Sequence, residues 1–267
     1  MPDSRKFTVI RNAARIWAVG AVHGEVERLS RLHEKMTPEL RFGDRLIYLG
    51  NYLGYSDSIR ETVDELLRFR RLFLTIPPYM DSDDVTFLRG SQEEMWHKLL
   101  QLQFSVKPLE TLEWLLARGV NETIRAYGGD PAQGIEFAGD GTIALGGWTS
   151  ALRDAFNAAS GHSAFMSALK RAAYTDDKSL LFVNAGLDET QPLAAQTDEF
   201  WWTGGSFNTL AKPYDGFSRI FRGYDANHGG FNDSGMAMTV DGGCGFGGSL
   251  IAVCLSPAGE IIGSLEA

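Results

Sequence analysis

Few side chains in this sequence are placed to do chemistry, and each has a structural reading beside the reactive one. His23 follows a short apolar run in Gly20-Ala21-Val22-His23-Gly24, where an imidazole could ligate a metal or simply hydrogen-bond within the fold. His228, in Asn227-His228-Gly229-Gly230, could offer a second imidazole but reads as a polar loop residue. Arg222 could hold an anion or serve a buried ion pair, since a planar guanidinium suits both. Ser91 reads as a helix cap because Glu94 follows three residues later. Glu25, Glu93 and Glu94 read as capping or solvated helix carboxylates rather than metal ligands. The pair Trp201-Trp202, followed by Gly204-Gly205, could lid a cleft, although packing in the core or at a rim is the simpler reading. Cys244 has no activating neighbour, and with Cys254 it forms neither a disulfide framework nor a CxxC metal signature. Gly243 to Gly248 satisfies GxGxxG, yet the strand-like Leu250-Ile251-Ala252-Val253 follows it. A dinucleotide fingerprint must open a helix, so no nucleotide cofactor is expected.

The elements that position these residues alternate early and turn to strands late. Strands are predicted at Arg15 to Val19, Arg45 to Leu49 and Val85 to Leu88, each ending near a glycine (Gly20, Gly50, Gly90) and followed by a helical pattern. In the second of those helices Ile59, Val63, Leu66, Leu67 and Phe73 recur at helical spacing, and Ser58 with Glu61 fits a capping box. Glu93 to Arg118 reads as one or two helices broken near Pro108, Gly128 to Trp148 as an irregular glycine-rich loop, and Ala164 to Ala173 as a helix. Further strands are predicted at Leu180 to Val183, Ser218 to Phe221, Met236 to Val240, Ser249 to Leu255 and Glu260 to Leu265. The pattern implies an α/β architecture with two sheets face to face and helices outside. Its functional loops lie at the carboxyl ends of neighbouring strands.

Composition narrows the partners. At about 150 residues per domain, 267 residues make one large domain or two small ones. No composition shift or linker marks a boundary, so residues 1–267 read as one domain. Subtracting 34 acidic from 25 basic side chains leaves a net charge of -9, which repels a phosphate backbone and makes nucleic acid an unlikely partner. The longest apolar runs fall far short of the roughly 18 residues that span a bilayer, so no membrane is expected and the location is read as cytoplasmic.

Five segments, taken in order, resemble the calcineurin-like metallophosphoesterases, specifically the bacterial branch of the Ser/Thr protein phosphatases. The family pattern GDxHG corresponds to Gly20-Ala21-Val22-His23-Gly24, and GDxxDRG to Gly50-Asn51-Tyr52-Leu53-Gly54-Tyr55-Ser56. GNHE corresponds to Gly90-Ser91-Gln92-Glu93, the HAG element to Asn184-Ala185-Gly186, and RGH to Arg222-Gly223-Tyr224. The resemblance spans Arg15 to the carboxyl terminus and implies an αββα sandwich of two mixed sheets flanked by helices.

The resembled family uses two divalent metals, such as Mn, Fe or Zn, to polarise a phosphate and generate a hydroxide. Its ligand positions correspond here to Ala21, His23, Asn51, Ser91, Asn184 and Tyr224, among which no carboxylate remains. Its acid dyad corresponds to Gln92 and Gly54, and a phosphate-clamping Arg to Tyr55. Of these nine positions only His23 keeps the family residue. Cations need anionic oxygens to offset their dehydration, so the sequence implies no catalytic residues, no bound metal and no other cofactor. The expectation is a pseudophosphatase acting as a binding or regulatory module. Its partner would be a protein or a neutral small ligand, with His23, Arg222 and His228 as ligand contacts. The alternative is an active Ser/Thr-type phosphatase or other phosphoesterase with a rebuilt site.

Overall fold

The structure, a computed structural model, describes residues 5–77, 80–202, 207–210 and 212–267; Gly204 and Gly205 lie outside the described residues. Two mixed sheets stack face to face. The first contains β2 (Arg15–Val19), β3 (Asp44–Tyr48), β4 (Val85–Phe87), β10 (Ile251–Leu255) and β11 (Ile261–Glu266), in the order β11-β10-β2-β3-β4. The second contains β1 (Phe7–Ile10), β5 (Ala172–Thr175), β6 (Leu180–Val183), β7 (Arg219–Arg222), β8 (Asn232–Asp233) and β9 (Ala237–Thr239), in the order β1-β5-β6-β7-β9-β8. β2, β3 and β4 run parallel, as do β6, β7 and β9, so their carboxyl ends gather at one edge of the sandwich.

Side chains alternate across each strand and so build two cores at once. Ile16, Ala18, Ile47 and Leu49 meet Ala173, Leu180, Phe182 and Phe221 between the sheets. Trp17, Val19, Leu46 and Tyr48 face outward, onto α1 (Val26–Met36) and α2 (Ile59–Leu74), where Leu29, Leu32, Val63, Leu66 and Phe69 receive them. Burial on both faces explains why these strands read as unbroken apolar runs. The helical layer continues through α3 (Ser91–Leu99), α4 (Pro108–Leu116), α5 (Val120–Ala126), α6 (Pro131–Asp140), α7 (Thr142–Ala158) and α8 (His162–Ala168). The outer face of the second sheet is covered differently. Leu193, Phe200, Trp201, Phe207 and Leu210, on short helical turns that include α9 (Glu199–Trp202), close over Leu181, Val183 and Ile220.

Three local expectations are corrected. Gly128 to Trp148 is not a loop but α6 and the start of α7. The Asp130 side chain accepts from the Ala132 amide and Pro131 opens the helix, an N-terminal signal that outweighs the glycines. Gly134 within it lets the Trp148 ring approach, since a Cβ there would stand 2.7 Å from that ring. Ser58 does not form a capping box with Glu61; its hydroxyl donates to Asp57 instead. The helix expected over Ala164 to Ala173 ends at Ala168, and Ala172-Ala173 begin β5, whose alanines carry little strand propensity.

The contact between the sheets is tested at Phe182, stacked on Phe221 with ring centroids 4.9 Å apart. Phe182→Ala is expected to cost about 3–5 kcal/mol, read as a lower urea midpoint with an unchanged slope.

Candidate functional site

Loops from the carboxyl ends of β2, β3, β4, β6 and β7 meet at one edge, and backbone hydrogen bonds knit them together. Val22 and His23 donate their amides to the Asn51 carbonyl (3.0 and 2.8 Å), Ala21 donates to Gly223 (2.9 Å), and Gly223 and Tyr224 donate to Asn184 (2.9 and 3.0 Å). The site therefore contains all five segments singled out in the sequence.

Glu93 holds the centre. It is fully buried, and its carboxylate accepts from the amides of Gly90 (2.8 Å), Asn51 (2.9 Å), Tyr52 (2.7 Å) and Leu53 (3.1 Å). It caps α3 and at the same time fixes the loop after β3. Burial pushes its carboxyl pKa up, against the four donors that pull it down. The cap expected of Ser91 thus belongs to Glu93: Ser91 is already the first helical residue, and its hydroxyl donates to Asn51 Oδ1 (3.2 Å).

Three further matching positions, Asn51, Asn184 and Gln92, are likewise engaged. Asn51 Oδ1 also accepts from the Gln92 amide (3.1 Å), and Asn184 Nδ2 donates to the Leu49 carbonyl (2.7 Å). Gln92 Nε2 donates to the Arg118 carbonyl (2.8 Å). Gly54 has φ +83°, and a Cβ there would fall 2.3 Å from Gln92 Oε1. Gln92 thus fills the space in which any longer residue at 54 would begin, so the two changes are sterically coupled. Ala21 is buried and contributes no polar side-chain atom.

His23 departs from the sequence reading of an ordinary hydrogen-bonded histidine. Neither ring nitrogen makes a well-formed hydrogen bond among the described residues, the Leu53 backbone offering only a weak approach that opposes the burial. Its ring is instead enclosed by Tyr55, Tyr224 and Phe246, with centroids at 5.2, 5.5 and 5.2 Å. Burial, reinforced by the nearby His228, lowers its pKa to about 3, so it is neutral at physiological pH. His228 stacks on Phe246 at 3.8 Å, and its Nδ1 lies 3.6 Å from Asp241. Arg222 is buried in structural pairings: Nε donates to Thr239 (2.9 Å), one terminal nitrogen lies 3.1 Å from Asp225, and Phe207 stands 4.6 Å beneath the guanidinium. Glu94 pairs with Arg89 (3.0 Å), and Glu25 lies 3.8 Å from Arg28. Cys244 is buried, and its thiol is pushed up to about 12, as an unreactive residue should be.

Beside these positions lies a cavity of about 430 Å³, lined by Tyr55, Ser91, Gln92, Met95, Trp201 and Tyr224 among others. Arg118 and Trp202 stand at its rim. Sequence reasoning did not single out Arg118, Phe246 or Met95, because their roles come from loops distant in the chain.

The donor set does not fit a pair of divalent cations at the matching positions. The Asn51 oxygen is already shared by two donors, Ala21 has none, and burial pushes the Tyr224 phenol up to about 12, away from a phenolate. Among the described residues no three His, Cys, Asp or Glu side chains gather to hold a metal ion.

No protein-family model and no curated protein matches the sequence. Solved structures do. A candidate diadenosine tetraphosphatase is 18% identical over 98% of both chains, with a TM-score of 0.54. The Saccharomyces cerevisiae protein serine/threonine phosphatase with similarity to human phosphatase PP5 is 13% identical over 96% of this chain and 80% of its own, with a TM-score of 0.53. A cold-active protein tyrosine phosphatase is 12% identical over 95% and 80%, with a TM-score of 0.50. The fold is thus that of the calcineurin-like metallophosphoesterases, as the motif frame implied. These fold neighbours are metal-dependent phosphoesterases, which contradicts the expectation that the chain takes no cofactor. What the residues establish is narrower: the six positions carry no carboxylate, and the unpartnered acceptors that remain, on His23 and Asn184, do not by themselves make a two-metal centre.

Two measurements probe this site. Glu93→Ala leaves four amides without their acceptor and is expected to cost at least about 3 kcal/mol in denaturant unfolding. For His23, the unfolded imidazole takes a proton near 6.5 while the folded one waits until about 3, so stability falls as pH drops through that window. Between pH 6.5 and 4 wild type should lose about 3 kcal/mol more than His23→Phe, read from urea midpoints across pH.

Proposed function

We propose that this metallophosphoesterase-fold protein binds a partner without hydrolysing phosphate esters, as a pseudophosphatase in a binding or regulatory role. One observation carries the reading: side chains at four of the matching positions are spent on holding loops, with Asn51 bonded to Ser91, Asn184 to Leu49, and Gln92 filling the space at Gly54. Phosphate-ester hydrolysis requires an enormous acceleration over water. A general acid or base contributes best with a pKa near the working pH. His23, with a pKa of about 3, is a poor candidate for either role.

The electrostatics support a ligand other than a phosphate dianion. Asp225 lies against Arg222, and the Asp241 carboxylate accepts from the Asp225 amide behind it, so the guanidinium meets negative charge before any ligand arrives. The overall charge of -9 works in the same direction. A protein segment or a neutral polar molecule suits the aromatic and amide-lined cleft better. Both cysteines are buried and unpaired, compatible with a reducing cytoplasm, and no helix among the described residues is long and apolar enough to cross a membrane.

The reading is tested by assaying p-nitrophenyl phosphate, bis(p-nitrophenyl) phosphate and a phosphoserine peptide, with and without added manganese. Hydrolysis should stay at the buffer rate, and calorimetry should place inorganic phosphate in the millimolar range or weaker. Turnover that copurifies with the protein and disappears in His23→Ala or His228→Ala would establish a rebuilt hydrolytic site instead.

A further inference from the structure

The cavity beside the matching positions continues into an apolar surface that those positions do not explain. Trp202 lines its rim and is 39% exposed. Trp114, on α4, is also 39% exposed and meets Trp202 edge to face with centroids 5.7 Å apart. Each indole carries a cation: Arg118 lies 4.2 Å over Trp114, and Lys98 lies 5.6 Å over Trp202. Lys98 lies 3.7 Å from both Glu94 and Asp198, so its charge is met. Arg118 is different. Its guanidinium donates to the Trp114 carbonyl (3.2 Å) and has no carboxylate partner among the described residues. It also lines the cavity, so the entrance carries an uncompensated positive charge in a protein whose net charge is -9.

Inside, the lining includes Tyr55, Tyr224, Trp201 and Met95, and the charge of the buried Arg222 is met by Asp225. A volume of about 430 Å³ exceeds what one large aromatic side chain needs and leaves room for its neighbours in the chain. Paired exposed tryptophans outside a concave, aromatic-walled pocket form the arrangement in which protein interfaces concentrate binding energy. A small molecule would occupy the cavity and leave the tryptophan pair in water. A polypeptide covers both.

Resting on the binding role proposed above, we propose that this surface is a peptide-docking site. An extended segment of a partner protein places one aromatic side chain in the cavity, lays its neighbours across Trp202 and Trp114, and sets an Asp or Glu against Arg118.

The probe is a phage-displayed library of random 12-residue peptides, selected on the intact wild-type protein and counter-selected on Trp202→Ala. Enriched peptides are synthesised and measured by fluorescence polarisation. The expected outcome is a shared motif of one aromatic residue with an acidic residue nearby, at micromolar Kd. Trp202→Ala and Arg118→Gln should each weaken binding at least tenfold. Arg118→Lys should recover part of the loss, and Ile262→Ala, an exposed apolar change on edge strand β11, should leave it unaltered. Melting temperatures within two degrees or so of wild type confirm that these surface variants fold.

Failure to enrich any motif overturns the site, as does affinity indifferent to Trp202 and Arg118. Competition by N-acetyltryptophanamide at the same concentration as the peptide also overturns it, since the occupant would then be a small molecule. Hydrolytic turnover would overturn the binding role without altering the peptide measurement. A failed selection leaves the turnover assays standing.

Discussion

A single buried carboxylate organises the functional edge of this protein. Glu93 accepts four backbone amides drawn from two segments, the start of α3 and the loop after β3. A carboxylate buried without charge partners is costly unless its oxygens are saturated by donors, and here they are. The loop it holds then supplies the Asn51 carbonyl that receives Val22 and His23, so the order imposed at Glu93 passes to the loop after β2. Tyr52, whose amide is one of the four, sends its hydroxyl to the Leu88 carbonyl (2.8 Å) and ties the same loop back to β4.

That chain of hydrogen bonds does a job that cations do in a metal centre: it cross-links loops from several strands. A metal pair achieves this with charge and is sensitive to chelators and acid. Amides, a serine and one carboxylate achieve it with directional bonds between largely neutral groups. Among the described residues of the site, the buried polar atoms left without partners, His23 Nδ1 and Nε2, Asn51 Nδ2, Gln92 Oε1, Asn184 Oδ1 and His228 Nδ1, are the cost of keeping a polar lining around such a knot.

Much of this was legible in the sequence, and the exceptions have physical causes. The strand over Arg15–Val19 was predicted to the residue, because Ile16 to Val19, buried on both faces, make an unbroken apolar run. The motif frame survives because Gly20, Gly50 and Gly90 sit where a Cβ would strike neighbouring loop atoms, a constraint that persists whatever chemistry the site performs. α6 was missed because its glycines hide an N-terminal Asp-Pro signal, and β1 because four residues between charged neighbours give no periodicity to read. The isolation of the His23 nitrogens was invisible: it depends on Phe246, which arrives from the far end of the chain. The same holds for the meeting of Trp114 with Trp202, which joins α4 to α9.

The pairing of β2 with β10 has a consequence for how the chain is made. β2 is a central strand of the first sheet, with β3 on one side and β10 on the other, and β10 lies almost at the opposite end of the sequence. On the ribosome, β2 and β3 can pair early, but the other edge of β2 stays open until nearly the whole chain has emerged. At roughly 5–20 residues per second that is an interval of order ten seconds or more. During it Ile16, Trp17, Ala18 and Val19 form an apolar strand with an unsatisfied edge, the kind of segment that recruits other chains. A circular permutant that joins residue 267 to residue 1 and opens the chain between α6 and α7 would separate β10 from β2 by only about 30 residues, so that the two strands emerge in succession and the open edge is short-lived.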